Sequence, residues 1–227
     1  MKYDIRGDVM QTVDVWLDEG ESVYTEAGGM AWMTSNMEME TSGKGGFLKS
    51  LGRMLSQESF FMTTYRCTEG QGLVTFACEL PGNILSFDLA EGEEIICQKD
   101  AFMFAQDGVD LSVHMRKKLG AGFFAGEGFI MQKIAGPGLA FLELTGEMTE
   151  YELDEGQVLK VDPGHIGVLE PQVDVDISMV KGVKNVFFGG EGLFLATLTG
   201  PGKVWLQSMP LANLANRIAA ALPSKGS

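Results

Sequence analysis

An all-β protein of three repeated modules, with a short helix in the first module and another at the C-terminus, is the fold the sequence predicts. Three observations lead there. Four sequence marks recur at one constant offset: Leu89-Ala90-Glu91-Gly92 with Leu153-Asp154-Glu155-Gly156, Val109-Asp110 with Val173-Asp174, Gly126-Glu127-Gly128 with Gly190-Glu191-Gly192, and Gly136-Pro137-Gly138 with Gly200-Pro201-Gly202. A repeat at fixed period decides the architecture before any local reading does. Between the marks, apolar and polar residues alternate with the period of a strand. Thirty glycines among 227 residues, with few helical patterns, supply the turns such strands need.

A further copy precedes these two, from Val13 to Cys78. Its Leu17-Asp18-Glu19-Gly20 and Met37-Glu38 precede Leu89-Ala90-Glu91-Gly92 and Val109-Asp110 of the second copy, both at a single, slightly longer offset. Its later marks are respaced, with Glu58 standing for Glu127 and Gly70-Gln71-Gly72 for the Gly-Pro-Gly, so this copy carries insertions. The expected modules are residues 1–84, 85–148 and 149–210, followed by a helix and tail over 211–227.

In chain order, Tyr3 to Arg6 and Val9 to Leu17 read as strands, with Val13, Val15 and Leu17 alternating against Asp14 and Trp16. The turn after them ends in Gly20, and the same turn returns at Gly92 and Gly156. A glycine fixed at one place between strands signals a positive φ that a Cβ would oppose. A second strand follows, with Val173, Val175, Ile177 and Met179 inward and Asp174, Asp176 and Ser178 outward. Val109, Leu111, Val113 and Met115 match it, as do Met37 and Met39. Asp174 and Asp176 lack the glycine and closing glutamate of a calcium loop, so they read as a solvated face. Each module closes on two strands, Phe129 to Ala135 and Leu139 to Leu144, then Leu193 to Thr199 and Val204 to Gln207. The turn between them is built on Pro137 and Pro201, whose rings fix φ between free glycines. Pro81-Gly82-Asn83 and Thr145-Gly146-Glu147 read as joints between modules. Beyond Pro210, the helical spacing of Leu211, Leu214, Ile218 and Leu222 predicts a C-terminal helix, with 224–227 disordered.

Composition excludes some functions. Lys+Arg 17 against Asp+Glu 31 gives a net charge of −14, which repels nucleic acid. Cys67, Cys78 and Cys97 are odd in number and form no C-x-x-C pair, so no disulfide framework is expected and a reducing cytoplasm fits. Met1-Lys2-Tyr3-Asp4 is not the start of a signal peptide, and no 18-residue apolar run occurs. The expectation is a soluble cytoplasmic protein, or one peripheral to a membrane.

Basic residues nevertheless gather in three windows at equivalent places and without acids: Lys44, Lys49 and Arg53; Arg116, Lys117 and Lys118; Lys181 and Lys184. In the first, Phe47, Leu48, Leu51, Met54 and Leu55 share one helical stripe opposite Lys49 and Arg53, which predicts the short amphipathic helix. The others end in Phe123-Phe124 and Phe187-Phe188. These windows read either as core residues with solvated basic stems, or as a basic, apolar face for an anionic membrane surface or a protein partner.

The Leu-x-Glu-Gly, Val-Asp, Gly-Glu-Gly and Gly-Pro-Gly marks, spread from Tyr3 to Ser208, resemble the family named for altered inheritance of mitochondria, twenty-fourth member. This is a mitochondrial biogenesis family with many bacterial relatives of unknown function. The resemblance implies a fold similar to the tryptophan RNA-binding attenuator protein, with three β-sandwich or barrel modules around a pseudo-threefold axis. It carries no catalytic or ligand residues across. Without a targeting segment, the bacterial branch is expected.

Chemistry is not written in any motif. His114 and His165 fall at different points of their repeats, no H-E-x-x-H or G-x-S-x-G occurs, and no metal or other cofactor is implied. The Gly-Glu-Gly marks lack the helix of a phosphate loop. The reading is therefore a non-enzymatic binding or assembly protein whose exposed strand edges invite pairing into a homo-oligomer. The alternative is a small-molecule binder or enzyme with a pocket on the axis, lined by Glu58, Glu127 and Glu191.

Overall fold

A computed structural model describes residues 1–26, 29–42, 62–117, 128–179 and 194–222. The first part of the chain forms β1 (Lys2–Arg6), β2 (Thr12–Asp18), β3 (Ser22–Glu26), β4 (Met30–Met33), β5 (Met37–Ser42), β6 (Met62–Cys67) and β7 (Gln71–Ala77). The second forms β8 (Gly82–Leu89), β9 (Glu94–Gln98), a 3-10 turn (Lys99–Ala101), β10 (Phe102–Gln106), β11 (Asp110–Lys117), β12 (Phe129–Ala135) and β13 (Gly138–Thr145). The third forms β14 (Met148–Leu153), β15 (Val158–Val161), a 3-10 turn (Pro163–His165), β16 (Ile166–Leu169), β17 (Asp174–Met179), β18 (Phe194–Thr199) and β19 (Gly202–Gln207). Helix α1 (Leu211–Ala221) follows, with Pro210 as its N-cap residue. The two 3-10 turns are separated by the same offset as Leu89 and Leu153, and so are the starts of β10 and β16, of β11 and β17, and of β13 and β19.

These strands build four open antiparallel sheets, and among the described residues no barrel closes. The orders are β1-β2-β7-β4, β5-β6-β3-β10-β13-β8, β11-β12-β9-β16-β19-β14 and β15-β18-β17. The sandwich part of the expectation describes the packing better than the barrel part. Closing a barrel requires every edge to find a partner, and β1, β4, β15 and β17 each end a sheet.

Each six-stranded sheet is stitched at its middle by a short antiparallel pairing. β3 meets β10 through Ala105 opposite Tyr24 and Gln106 opposite Val23. β9 meets β16 through Val168 opposite Cys97 and Leu169 opposite Ile96. A sheet shared in this way buries both of its faces, so its strands read as continuous apolar runs. Phe102 to Ala105 and Ile166 to Leu169 are buried at every position.

Three cores fill the spaces between sheets. The first holds Val13, Val15 and Leu17 of β2 against Tyr65, Phe104 and Phe141. The rings of Phe76, Phe104 and Phe141 stack at centroid distances of 4.0 and 4.4 Å, tying β7 to β10 and β13. The second packs Ile95, Cys97 and Ile134 against Ala105, Leu142 and Leu144, and the third packs Ile166 and Leu169 against Ile177, Ala196 and Leu198. Asp14, buried within the first core's strand, is compensated by the Thr75 hydroxyl at 2.6 Å and the Arg6 guanidinium at 3.1 Å.

Inward alternation fails at two expected places. Met39 and Met179 are 52% and 59% exposed, because β5 and β17 are edge strands whose far ends run past the core. Met37, Val173 and Ile177 do reach it. On β11, an irregularity between Val113 and Met115 shifts the register and leaves both half-buried. At the expected joint, Gly82 and Asn83 open β8 and pair with Thr145 and Leu144. The expected helix in 43–55 and the tail 224–227 lie outside the described residues.

The two repeated glycine marks meet in space. Gly20, Gly92 and Gly156 adopt φ of +87, +86 and +75°, with nothing within 4 Å of the position a Cβ would take. Backbone conformation alone therefore selects glycine there. Gly136 and Gly200 are selected by space, since a Cβ would sit 2.4 Å from the carbonyl oxygen of Ala90 or of Asp154. The peptides Gly136-Pro137 and Gly200-Pro201 are cis, and the N–H groups of Gly136 and Gly200 donate to the carbonyls of Glu93 and Gln157. Gly92→Ala is expected to cost about 1 kcal/mol through φ alone. Gly136→Ala, which drives a methyl into backbone, should cost about 3 kcal/mol or more. Urea melts of the two variants beside the parent give the comparison.

Candidate functional site

Strand ends and helix α1 line a half-open cavity of about 680 Å³. That size falls in the range of small-molecule sites. Thr25 and Glu26 come from the end of β3, Gln98 to Ala101 from the end of β9 and its 3-10 turn, and Phe102 and Met103 from β10. Glu143 and Thr145 come from β13, and Leu211, Ala212, Ala215 and Asn216 from α1. Strand ends converge here because the chain leaves one six-stranded sheet at the end of β9, passes through the 3-10 turn and enters the other as β10, which pairs with the end of β3.

The wall is polar, ordered and acidic. Behind the lining residue Glu26, Gln132, fully buried in β12, donates from Nε2 to Glu26 Oε1 at 2.8 Å, while its own Oε1 has no partner among the described residues. Gln207 Nε2 donates to Gln98 Oε1 and to the Gly164 carbonyl, both at 3.0 Å. Gln207 Oε1 accepts from the Thr145 N–H. Thr25 donates to the Met103 carbonyl and Thr145 to that of Met209. Among the described lining residues, Glu26, Glu79, Asp100 and Glu143 stand against a single ammonium, Lys99.

Burial sets the proton affinities. Desolvation raises the Glu26 carboxyl, against the opposing pull of the Gln132 amide and Lys99. Burial pushes Glu143 up to about 7 from an ordinary 4.5, and the Glu79 charge adds to the rise while the Glu79 N–H, donating at 3.1 Å, and the Cys78 thiol oppose it. Cys78 is pushed up to about 12, first by burial and then by Glu143. Burial, with Glu26 second, also raises Cys97. All three cysteines are free and buried, and the two raised thiols are poor nucleophiles.

The residues singled out in the sequence fall elsewhere. Arg116 and Lys117 end β11, and Lys117 Nζ meets Asp176 Oδ1 of β17 at 3.3 Å. Lys44, Lys49, Arg53, Lys118, Lys181 and Lys184, and the glutamates Glu58, Glu127 and Glu191, lie outside the described residues. His165 contacts the Gln207 carbonyl through Nδ1 at 2.8 Å, and His114 is exposed on β11. The residues that sequence reading passed over had a signal. Gln132 interrupts the run Phe129 to Ile134, and Glu143 sits alone in Phe141 to Leu144. A polar side chain in a strand with two buried faces must find a partner or line a cavity.

The geometry defines a protein of stacked, shared antiparallel sheets with an acidic, ligand-sized cavity. The chain belongs to the mitochondrial biogenesis AIM24 family, which it matches over residues 3–209. It is 30% identical over 221 residues to an uncharacterised protein of Streptococcus pyogenes serotype M6, covering 93% of this chain and 87% of that one. An X-ray crystal structure of a Streptococcus pyogenes protein shares the fold, with a TM-score of 0.75 at 24% identity over 97% of this chain and 99% of that one. Among the described residues, no helix is long and apolar enough to cross a membrane.

Glu143 makes stability depend on pH. Its folded affinity for a proton exceeds the unfolded one, so the stabilisation it gives is fully present below 4.5 and lost as pH rises to about 7. Relative to the parent, Glu143→Gln should gain about 2 kcal/mol of stability between pH 5 and pH 8. Urea melts at the two pH values measure that difference, and a gap that does not widen assigns Glu143 an ordinary affinity.

Proposed function

We propose that this is a non-enzymatic binding protein whose ligand is a small protonated amine with an apolar body, held in the acidic cavity. The observation that carries the reading is the lining itself, in which four carboxylates outnumber one ammonium beside Phe102, Met103, Ile130 and Leu211. Carboxylates whose ionised forms are penalised by burial gain most from a cation that enters with its own apolar cover. The scaffold in this reading is three fused modules, 1–84, 85–148 and 149–210, around a pseudo-threefold axis. The recurrence of turns and strands at constant offset supports it. Octylamine should raise the melting temperature by several degrees at pH 8, and octanoate should not. The shift should shrink toward pH 5 as Glu143 takes its proton, and Glu26→Gln with Glu143→Gln should remove it. Equal shifts from both compounds, or none from either, would overturn the amine reading.

A second reading, peripheral attachment to an anionic membrane surface through the basic windows, is favoured by α1. Leu211 and Ile218 of the helix, and Leu222 at its C-cap, are 50, 54 and 64% exposed, as in a helix that lies in a lipid interface. Lys117 has part of its charge compensated by Asp176, so the windows would act together with the helix. Co-sedimentation with anionic and neutral liposomes over a salt series checks this. Salt-sensitive binding weakened several-fold by Lys117→Glu with Lys118→Glu and by Ile218→Asp is the expected result, and no binding of the parent removes the reading.

A further inference from the structure

Two of the cavity's carboxylates have amide counterparts in the same molecule. The step from Leu89 to Leu153 carries Glu143 of β13 to Gln207 of β19. The pairing registers agree, since Glu143 lies opposite Ile84 and Gln207 lies opposite Met148, which is Ile84 moved by the same step. The step from Leu17 to Leu89 carries Glu26, the last residue of β3, to Gln98, the last residue of β9. Each six-stranded sheet therefore sets a pair of polar side chains at the same two places, one on either side of β10 in the first sheet and of β16 in the second. One pair is two acids and the other is two amides, and all four residues line the cavity.

The amides close on each other. Gln207 Nε2 donates to Gln98 Oε1 at 3.0 Å, while Gln207 Oε1 accepts from the Thr145 N–H at 3.0 Å. Glu143 keeps the second of these bonds: its Oε2 accepts from the Glu79 N–H at 3.1 Å, and the step from Gly72 to Gly138 carries Glu79 to Thr145. Its other oxygen corresponds to the donating nitrogen of Gln207 and, when ionised, has no hydrogen to give. Glu26, in the place of Gln98, accepts instead from Gln132 Nε2 of the other sheet at 2.8 Å. Two carboxylates cannot hydrogen-bond to each other, and their charges repel. Beside Glu26, Gln132 Oε1 is one more fully buried acceptor, with no partner among the described residues. This corner of the cavity is rich in acceptors and lacks the donor its counterpart has.

We infer that the ligand's ammonium group sits between Glu26 and Glu143 and donates a hydrogen bond to each carboxylate, supplying the donor that Gln207 supplies to Gln98. This rests on the amine reading above and narrows it. The ligand is a primary or secondary amine, because a bridge between two carboxylates needs two N–H groups and a quaternary ammonium has none. The apolar body is left to the part of the lining formed by Phe102 and Ile130. Glutamine in place of either acid restores a donor within the protein, as in the Gln98 and Gln207 pair, and closes the place to the ligand. The two acids therefore act as a unit, and losing one equals losing both.

The test uses the full-length chain at pH 8 and reads the melting temperature with octylamine, N-methyloctylamine or octyltrimethylammonium at equal concentration. The three carry the same charge and the same chain, and they differ in the N–H groups they offer. The first two should raise the melting temperature of the parent by several degrees, and the quaternary compound by a small fraction of that. Glu26→Gln and Glu143→Gln, made singly, should each remove the octylamine shift as completely as the double variant. Equal shifts from all three compounds, or single variants that each keep part of the shift while the double variant loses it, would overturn the bridge and leave the amine reading of the cavity standing. No octylamine shift in the parent would overturn that reading and the bridge together. A shift that appears only in Lys99→Met would give the place to the chain's own ammonium and likewise overturn the bridge. The three compounds on the parent decide the matter even if a variant misfolds.

Discussion

Two short antiparallel pairings, β3 with β10 and β9 with β16, govern the rest of the structure. Each consists of two residue pairs, yet each turns two half-sheets into one continuous sheet. Both faces of that sheet must then be buried, which is why β10 and β16 carry no exposed residue. Each sheet consequently takes part in two cores, and strain in one core is passed to the next through a rigid layer. The Phe76, Phe104 and Phe141 stack on one face of the first six-stranded sheet and Ala105 and Leu142 on the other illustrate this dependence. A change at Phe104 acts on two cores through a single backbone.

The cavity follows from the same constraint. Where three strands converge and must leave their sheets, side chains alone cannot fill the space between strand ends. The polar groups that remain there are held by one another: Gln132 by Glu26, and Gln207 by Gln98 and Thr145. Such a network in low dielectric fixes geometry when satisfied and is costly where it is not. The unpartnered Gln132 Oε1 marks the place where it is incomplete among the described residues. Raised proton affinities at Glu26 and Glu143 are the electrostatic face of that burial.

The parts of this architecture legible in the sequence are those in which one residue's own backbone dictates its identity. Gly20, Gly92 and Gly156 announce their turns because positive φ penalises any side chain, whatever surrounds it. Val13, Val15 and Leu17 announce a strand because alternation is local. The sharing of sheets was not legible, since nothing within β9 distinguishes a strand paired on both sides by neighbours in sequence from one that reaches β16. Met39 and Met179 misled for the same reason: alternation states which side a residue occupies, and only tertiary packing states how far the core extends along the strand. The cavity was half legible. Gln132 and Glu143 interrupt apolar stretches, but only tertiary packing sets Gln132 against Glu26 and brings Glu26 and Glu143 into the lining of one cavity, whereas Arg116 and Lys117, which stand out in composition, are not among its lining residues.

The turns at Gly20, Gly92 and Gly156, each of which passes the chain from one sheet to another, have a practical consequence. Around each, the space a side chain would enter holds no atom within 4 Å, and the flanking strands are secured by ladders rather than by the turn itself. Loop tips of this kind accept inserted residues without disturbing the interior. Fluorophores or short peptide tags could therefore be placed at three corresponding points of one molecule, and distances between labelled points would report how the modules sit around one another in solution.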